Sequence, residues 1–73
     1  MSIAQYAIAR AARQAADRIN AGALLAPHEQ SNAVATFDAL AGQLAALTPG
    51  EYAAVLPVMG PIFQAAKTVE KWR

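Results

Sequence analysis

The amino-acid sequence predicts an all-α protein, a small three- or four-helix bundle, and three observations support this fold class. Apolar residues recur every three or four positions along most of the 73-residue chain, which is the spacing of one helix face. Alanine, the strongest helix former, is the most frequent residue. No alternating apolar and polar run is bounded by turn residues, so no strand is predicted. We therefore expect 1–73 to be a single helical domain.

The segment Pro27–Leu47 is predicted to be the central helix of this bundle. Its bulky face carries Val34, Phe37, Leu40, Ala41, Leu44 and Leu47. Its opposite face carries the small residues Ala35, Ala39, Gly42 and Ala46. A helix that is apolar nearly all round is normally buried, so we expect both faces to be covered. The small face would pack against the alanines of the first helix or against a second copy. Pro27 suits the first helical position, and a later start with Ser31 as N-cap is the alternative.

A first helix is predicted from Ser2, as N-cap, to about Asn20, with Gly22 as the residue that ends it. The expected inner face consists of Ala4, Ile8, Ala11, Ala12, Ala15 and Ile19. The expected outer face consists of Tyr6, Arg10, Arg13, Asp17 and Asn20. Leu24 and Leu25, in the connection that follows, are expected to cover one end of the core. Because alanine buries little area, Ile8 and Ile19 should supply most of the hydrophobic stabilisation of this helix.

The last helical region opens on a capping box, since Thr48 is followed by Pro49 at the first helical position and by Glu51 three residues later. An apolar stripe then follows in helical register: Tyr52, Val55, Leu56, Met59, Ile62, Phe63 and Ala66. Pro57 and Pro61 lie opposite this stripe. Each proline inside a helix costs about 3 kcal/mol, so the region is predicted to be kinked or, with slight preference, broken. In the broken form a short helix ends near Leu56 and a new one begins at Gly60.

The chain lacks the residue sets that enzymes and metal sites need. It has no Cys, a single His and five acidic residues, and it shows neither a paired-carboxylate spacing nor a glycine-rich phosphate loop. His28 beside Glu29 could touch a metal, but a site requires three or four ligands, so this pair is read as a solvated first turn. We predict a non-enzyme with no catalytic residues, no metal and no cofactor.

Charge placement indicates where a partner would bind. The basic residues lie near the two chain ends: Arg10, Arg13 and Arg18, then Lys67, Lys71 and Arg73. The segment 19–66 carries three acidic residues and no Lys or Arg. Arginine and aromatic residues dominate binding hot spots, so the candidate partner-binding residues are Tyr6, Arg10, Arg13, Lys71, Trp72 and Arg73. Trp72 is expected on the polar side of the last helix or at its frayed end. The alternative is that these are ordinary solvated faces.

Three classes of function compete for such a chain. The first is a small regulator that binds a larger protein and modulates its activity. The second is a nucleic-acid or nucleotide binder that uses the arginine face, which a net charge of only +1 disfavours. The third is a structural helical oligomer, and a homodimer is compatible with the first class. No segment is long enough to span a membrane, and we expect a cytoplasmic protein.

A cysteine-free, alanine-rich helical chain with an arginine-bearing first helix resembles the small regulators that phages use against host machinery. Among them it is similar in size to the proteins that bind host RNA polymerase, displace the initiation factor and promote antitermination. The resemblance rests on size and composition, so no site residue is carried over from it. It implies a polymerase partner, control of transcription and, for a phage protein, a location in the host cytoplasm.

Overall fold

The computed structural model describes residues 4–21 and 26–72, and within them it confirms an all-α fold with no strand. The four helices are α1 (Ala4–Asn20), α2 (Pro27–Ala45), α3 (Pro49–Val55) and α4 (Met59–Trp72), with one 3-10 turn (Leu56–Val58) between α3 and α4. The expectations for Ser2, Gly22, Leu24, Leu25 and Arg73 fall outside the described residues.

The central position belongs to α1, because its backbone lies close to those of both α2 and α4, whereas the backbones of α2 and α4 stay farther apart from each other. Small side chains make this possible: Ala12 and Ala16 are fully buried, and alanine lets a neighbouring helix approach closely. Ile19 is the largest fully buried side chain of the described residues and supplies the bulk that the alanines lack. Ile8, expected to share that role, is only half-buried, and Ala4 is exposed.

The prediction that Pro27–Leu47 is buried on two faces is not confirmed. The bulky face of α2 does pack, since Phe37 and Leu44 are buried and Leu40 is half-buried against the core. The small face is exposed in full: Ala35, Ala39, Gly42 and Ala46. The expectation that it packs against α1 is therefore wrong, and the side of α2 that meets α1 carries Ala33 and Leu40 instead.

The relative directions of the helices follow from contacts at their ends. The Asn20 side-chain amide, at the end of α1, donates to the Pro61 carbonyl oxygen near the start of α4 at 3.2 Å. Since α1 and α4 pack along each other, they run antiparallel. Trp72 and Val69, at the end of α4, border one cavity with Pro27 near the start of α2. Thus α4 is also antiparallel to α2, and α1 and α2 run in the same direction.

Two sequence signals for helix boundaries are confirmed. Pro27 is the first residue of α2, so the alternative start at Ser31 is wrong. At α3 the capping box is complete: the Glu51 N–H donates to Thr48 Oγ1 at 3.3 Å, and the Thr48 N–H donates to Glu51 Oε1 at 2.9 Å. These two bonds satisfy backbone donors that the first helical turn would otherwise leave unpaired.

The region after Pro49 is kinked, because the 3-10 turn Leu56–Val58 joins α3 directly to α4 while the backbone stays helical. The slight preference for a full break is not confirmed. α3 ends at Val55, one residue earlier than expected, and α4 begins at Met59, one residue earlier than the Gly60 start. Pro57 has no N–H to donate to the fourth residue back, so the chain tightens there into a 3-10 turn. The Met59 N–H donates to the Leu56 carbonyl at the spacing of such a turn. On the N-terminal side of this kink, α3 contacts α1.

Candidate partner-binding surfaces

An exposed ridge of α1 collects three of the predicted partner-binding residues. Tyr6, Arg10 and Arg13 are four and then three residues apart, so they follow one line along the helix surface. All three side chains are exposed, and Tyr6, at 52%, is among the most exposed large apolar residues. These three residues are called the α1 ridge below. Ala12 and Ala16, on another side of α1, are fully buried. Their packing keeps the α1 ridge facing solvent.

The fold brings the end of α4 beside this ridge. Asn20, which continues the line of the ridge, bonds to Pro61 of α4, so the ridge adjoins α4. Because the two helices are antiparallel, the first turns of α1 lie beside the last turns of α4, where Lys71 is exposed. Arg10 of the ridge and Lys71, far apart in the sequence, therefore lie at one end of the bundle. Arg73 lies outside the described residues.

Trp72 differs from its expectation. It was expected on the polar side of the last helix or at its frayed end, but Trp72 is still helical, and its half-buried side chain packs against the hydrophobic core. It also lines a cavity of about 570 Å³ between the beginning of α2 and the end of α4, together with Val34 and Val69. An indole that contacts the core is held in place by those contacts, so Trp72 offers a partner only its exposed part.

An apolar groove separates α2 from α4 over the other half of their length. Its volume is about 220 Å³. It is lined by Phe37, Ala41, Leu44, Ala45, Tyr52, Met59, Ile62, Phe63 and Ala66. None of these residues carries a formal charge. The side chain of Phe63 is 49% exposed although it belongs to the stripe that was expected to face the core. We call this feature the α2–α4 groove.

The apolar stripe that runs from Tyr52 to Ala66 was expected to face the core, and its exposed part is the surface that the sequence did not predict. Val55, Met59 and Ile62 are buried as expected, but Leu56 is 48% exposed and Ala66 is also exposed. The apolar arc of this region is thus wider than the single chain can cover. The sequence indicated this exposure, because the seven apolar residues of the stripe cover a wider part of the helix surface than one neighbouring helix can bury.

The remaining features offer little chemistry. A cavity of about 250 Å³ between α1 and α2 is lined by Ala11, Gln14, Ala15, Arg18, Ala33, Thr36 and Leu40. No cluster of three or more His, Cys, Asp or Glu side chains capable of holding a metal occurs in the described ranges. His28 is exposed in the first turn of α2, where it was predicted.

Within residues 4–21 and 26–72, no helix has the length and hydropathy needed to cross a membrane.

Comparison with known proteins finds no family model, no curated protein and no solved structure that matches this chain.

Proposed function

We propose that this protein is a small non-catalytic regulator that binds a larger protein through the α1 ridge and thereby changes the activity of that protein. The main observation behind the proposal is the ridge itself. One exposed tyrosine and two exposed arginines lie in a line along α1, whose other side is rich in buried alanines. Arginine and aromatic side chains provide most of the binding energy in protein interfaces. Lys71 extends the same positive surface.

Charge supports a protein target over a nucleic acid. Six basic residues are offset by five acidic ones, and Asp17 continues the line of the ridge. Affinity for duplex DNA depends on neutralising several phosphates at once, which a surface of this kind does poorly. An acidic protein surface needs only a few complementary charges around a desolvated anchor. Because of the resemblance to phage regulators, we propose host RNA polymerase as the first target to test.

The test compares the affinities of matched variants for a purified target. Affinity capture of the tagged protein from host lysate supplies the target, and purified RNA polymerase is assayed in parallel. Arg10→Ala/Arg13→Ala removes two charges from the ridge, whereas Arg18→Ala/Lys67→Ala removes two exposed charges elsewhere. We expect the ridge variant, and Tyr6→Ala, to weaken binding by about tenfold or more, which corresponds to about 1.4 kcal/mol.

The control variant separates docking from general electrostatic attraction. It has the same net charge as the ridge variant, so it should bind the target within about twofold of the parent affinity. Equal losses in the two double variants would show that net charge, rather than the ridge, determines binding. Unchanged binding in all variants would contradict the proposed role of the ridge. Circular dichroism should show the parent helix content in each variant, because every substituted side chain is exposed.

A further inference from the structure

The cavity between the beginning of α2 and the end of α4 has the size of a site for a small organic molecule. Its volume is about 570 Å³, and ligand pockets in proteins usually measure about 300–1,000 Å³. Helix α2 contributes Gln30, Ser31, Val34 and Asp38 to its walls, and α4 contributes Val69 and Trp72. Because these residues cover several helical turns, the cavity offers room for a molecule much longer than a single ion.

The lining residues are arranged in order from an aromatic end to a charged end. Gln30, Val34 and Asp38 are spaced four residues apart on α2, so they lie along one side of the helix over about 12 Å. Since α4 runs antiparallel to α2, Trp72 lies beside the beginning of this row and Asp38 lies at its other end. Between these two ends the floor is apolar, because Val69 is buried and Val34 is half-buried.

The charge of the cavity is negative. Asp38 carries the one formal charge among the described residues that line it, and no Lys, Arg or His is among them. Helix α2 has no Lys or Arg along its whole length. A neutral or anionic group placed over this exposed carboxylate would remove water from it without compensation, whereas a cation would replace the lost hydration. The charged end of the cavity therefore selects a positive group.

Trp72 supplies an aromatic wall that is already in place. Its half-buried side chain packs against the hydrophobic core, so little side-chain freedom is lost when a ligand lies against it. Aromatic rings attract one another in offset stacks, and the face of an indole also attracts positive charge. Both attractions favour a ligand that combines an aromatic body with a cationic group.

We propose that this cavity binds a small organic cation, an ammonium group carried on an aromatic body. The ammonium group lies at Asp38, and the body lies over Val34 and Val69 with its far end against the indole of Trp72. A bare metal ion does not fit this site, because one carboxylate supplies far fewer ligands than metal ions require. The proposal goes beyond the proposed function and does not rest on it, since no residue of the α1 ridge lines the cavity.

The first experiment uses the fluorescence of Trp72, which is the single tryptophan of the chain and lines the cavity. Three probes of similar size and different charge are titrated: phenethylammonium, phenethyl alcohol and phenylacetate. We expect phenethylammonium to bind with a Kd on the order of 1 mM, which is typical of a ligand of about nine non-hydrogen atoms. The neutral alcohol should bind about fivefold more weakly, and the carboxylate more weakly still.

Two matched variants test the role of the carboxylate. Asp38→Asn removes the charge and keeps the shape, so the affinity for phenethylammonium should fall by about threefold or more. The affinity for phenethyl alcohol should stay within about twofold of the parent value, because that probe carries no charge. Glu70→Gln removes the same charge from an exposed position of α4 that does not line the cavity. This control should bind both probes within about twofold of the parent affinities, since solvent and salt screen an exposed charge outside the site.

Nuclear magnetic resonance then locates the bound probe. We expect the indole N–H of Trp72 and the methyl groups of Val34 and Val69 to shift as phenethylammonium is added. The methyl groups of Ala11 and Ala15, in the separate cavity between α1 and α2, should keep their positions. Asp38 and Glu70 are both exposed, so each variant should retain the helix content of the parent.

Four results would overturn the proposal. The first is an unchanged Trp72 signal with phenethylammonium up to about 10 mM, tenfold above the expected Kd. The second is equal affinity for the ammonium and the alcohol, which would show that the cavity does not select charge. The third is tighter binding of phenylacetate. The fourth is an equal loss in Asp38→Asn and Glu70→Gln, which would assign the effect to net charge. None of these results bears on the α1 ridge, so the proposed function is tested separately.

Discussion

At the scale of single residues, Gln5 is the buried polar side chain of the described core. It is 7% exposed, and its Oε1 atom has no hydrogen-bond partner among the described residues. A buried acceptor without a partner costs about 1–3 kcal/mol, because folding removes the water that would otherwise bond to it. Sequence reasoning assigned Gln5 to neither face of the first helix, since a glutamine in an alanine-rich helix reads as a solvated position.

We expect Gln5→Met to raise the free energy of unfolding by about 1 kcal/mol. Methionine has a similar length and no strong acceptor, so the desolvation penalty disappears while the volume is retained. Urea denaturation followed by circular dichroism measures the change. Gln14→Met, at an exposed position on the same helix, is the control and should change stability by less than about 0.5 kcal/mol. A destabilised Gln5→Met would show that the amide makes a bond worth more than its burial costs.

At the scale of elements, helix types and most boundaries could be predicted from the sequence, whereas the choice of the central helix could not. Periodic apolar positions and the Thr48 capping box are local signals, and both were read correctly. The central position depends on close approach between helices, which is a tertiary property. Counting Ala35 and Ala39 as apolar suggested that α2 was buried, but alanine is tolerated in water and both are exposed. Most of the buried alanines lie on α1.

This packing predicts that α1 tolerates larger side chains on one side only. Ala16→Leu should lower the free energy of unfolding by about 1–3 kcal/mol or more, because Ala16 is fully buried where α1 packs on its neighbours. Ala7→Leu places the same side chain on an exposed position of the same helix and should be nearly neutral. Thermal and urea unfolding of both variants provide the comparison. Equal stability of the two variants would contradict a central α1.

The candidate site could be predicted only in part, for a reason that also lies in tertiary structure. Tyr6 and Arg10 are exposed as the helical wheel required, because the opposite face of α1 is buried. The half-buried state of Trp72 could not be read from the sequence, since it depends on where α4 ends against the core. The exposure of Phe63 likewise depends on how α4 packs against the other helices, which no local pattern encodes.

At the scale of the whole molecule, surfaces of different character lie in different places. The α1 ridge is basic and aromatic, and α2 carries Glu29 and Asp38 with no Lys or Arg. The α2–α4 groove opposite α1 is uncharged near α3.

The salt dependence of binding tests the central claim, that the ridge recognises a protein, most directly. The parent is titrated against the purified target and against labelled duplex and single-stranded DNA, from about 50 to 500 mM salt. We expect measurable affinity for the protein target at physiological salt and none for either DNA, because a desolvated anchor survives screening whereas phosphate contacts do not. Tight binding to DNA that falls steeply with salt and is lost in Arg10→Ala/Arg13→Ala would contradict the account.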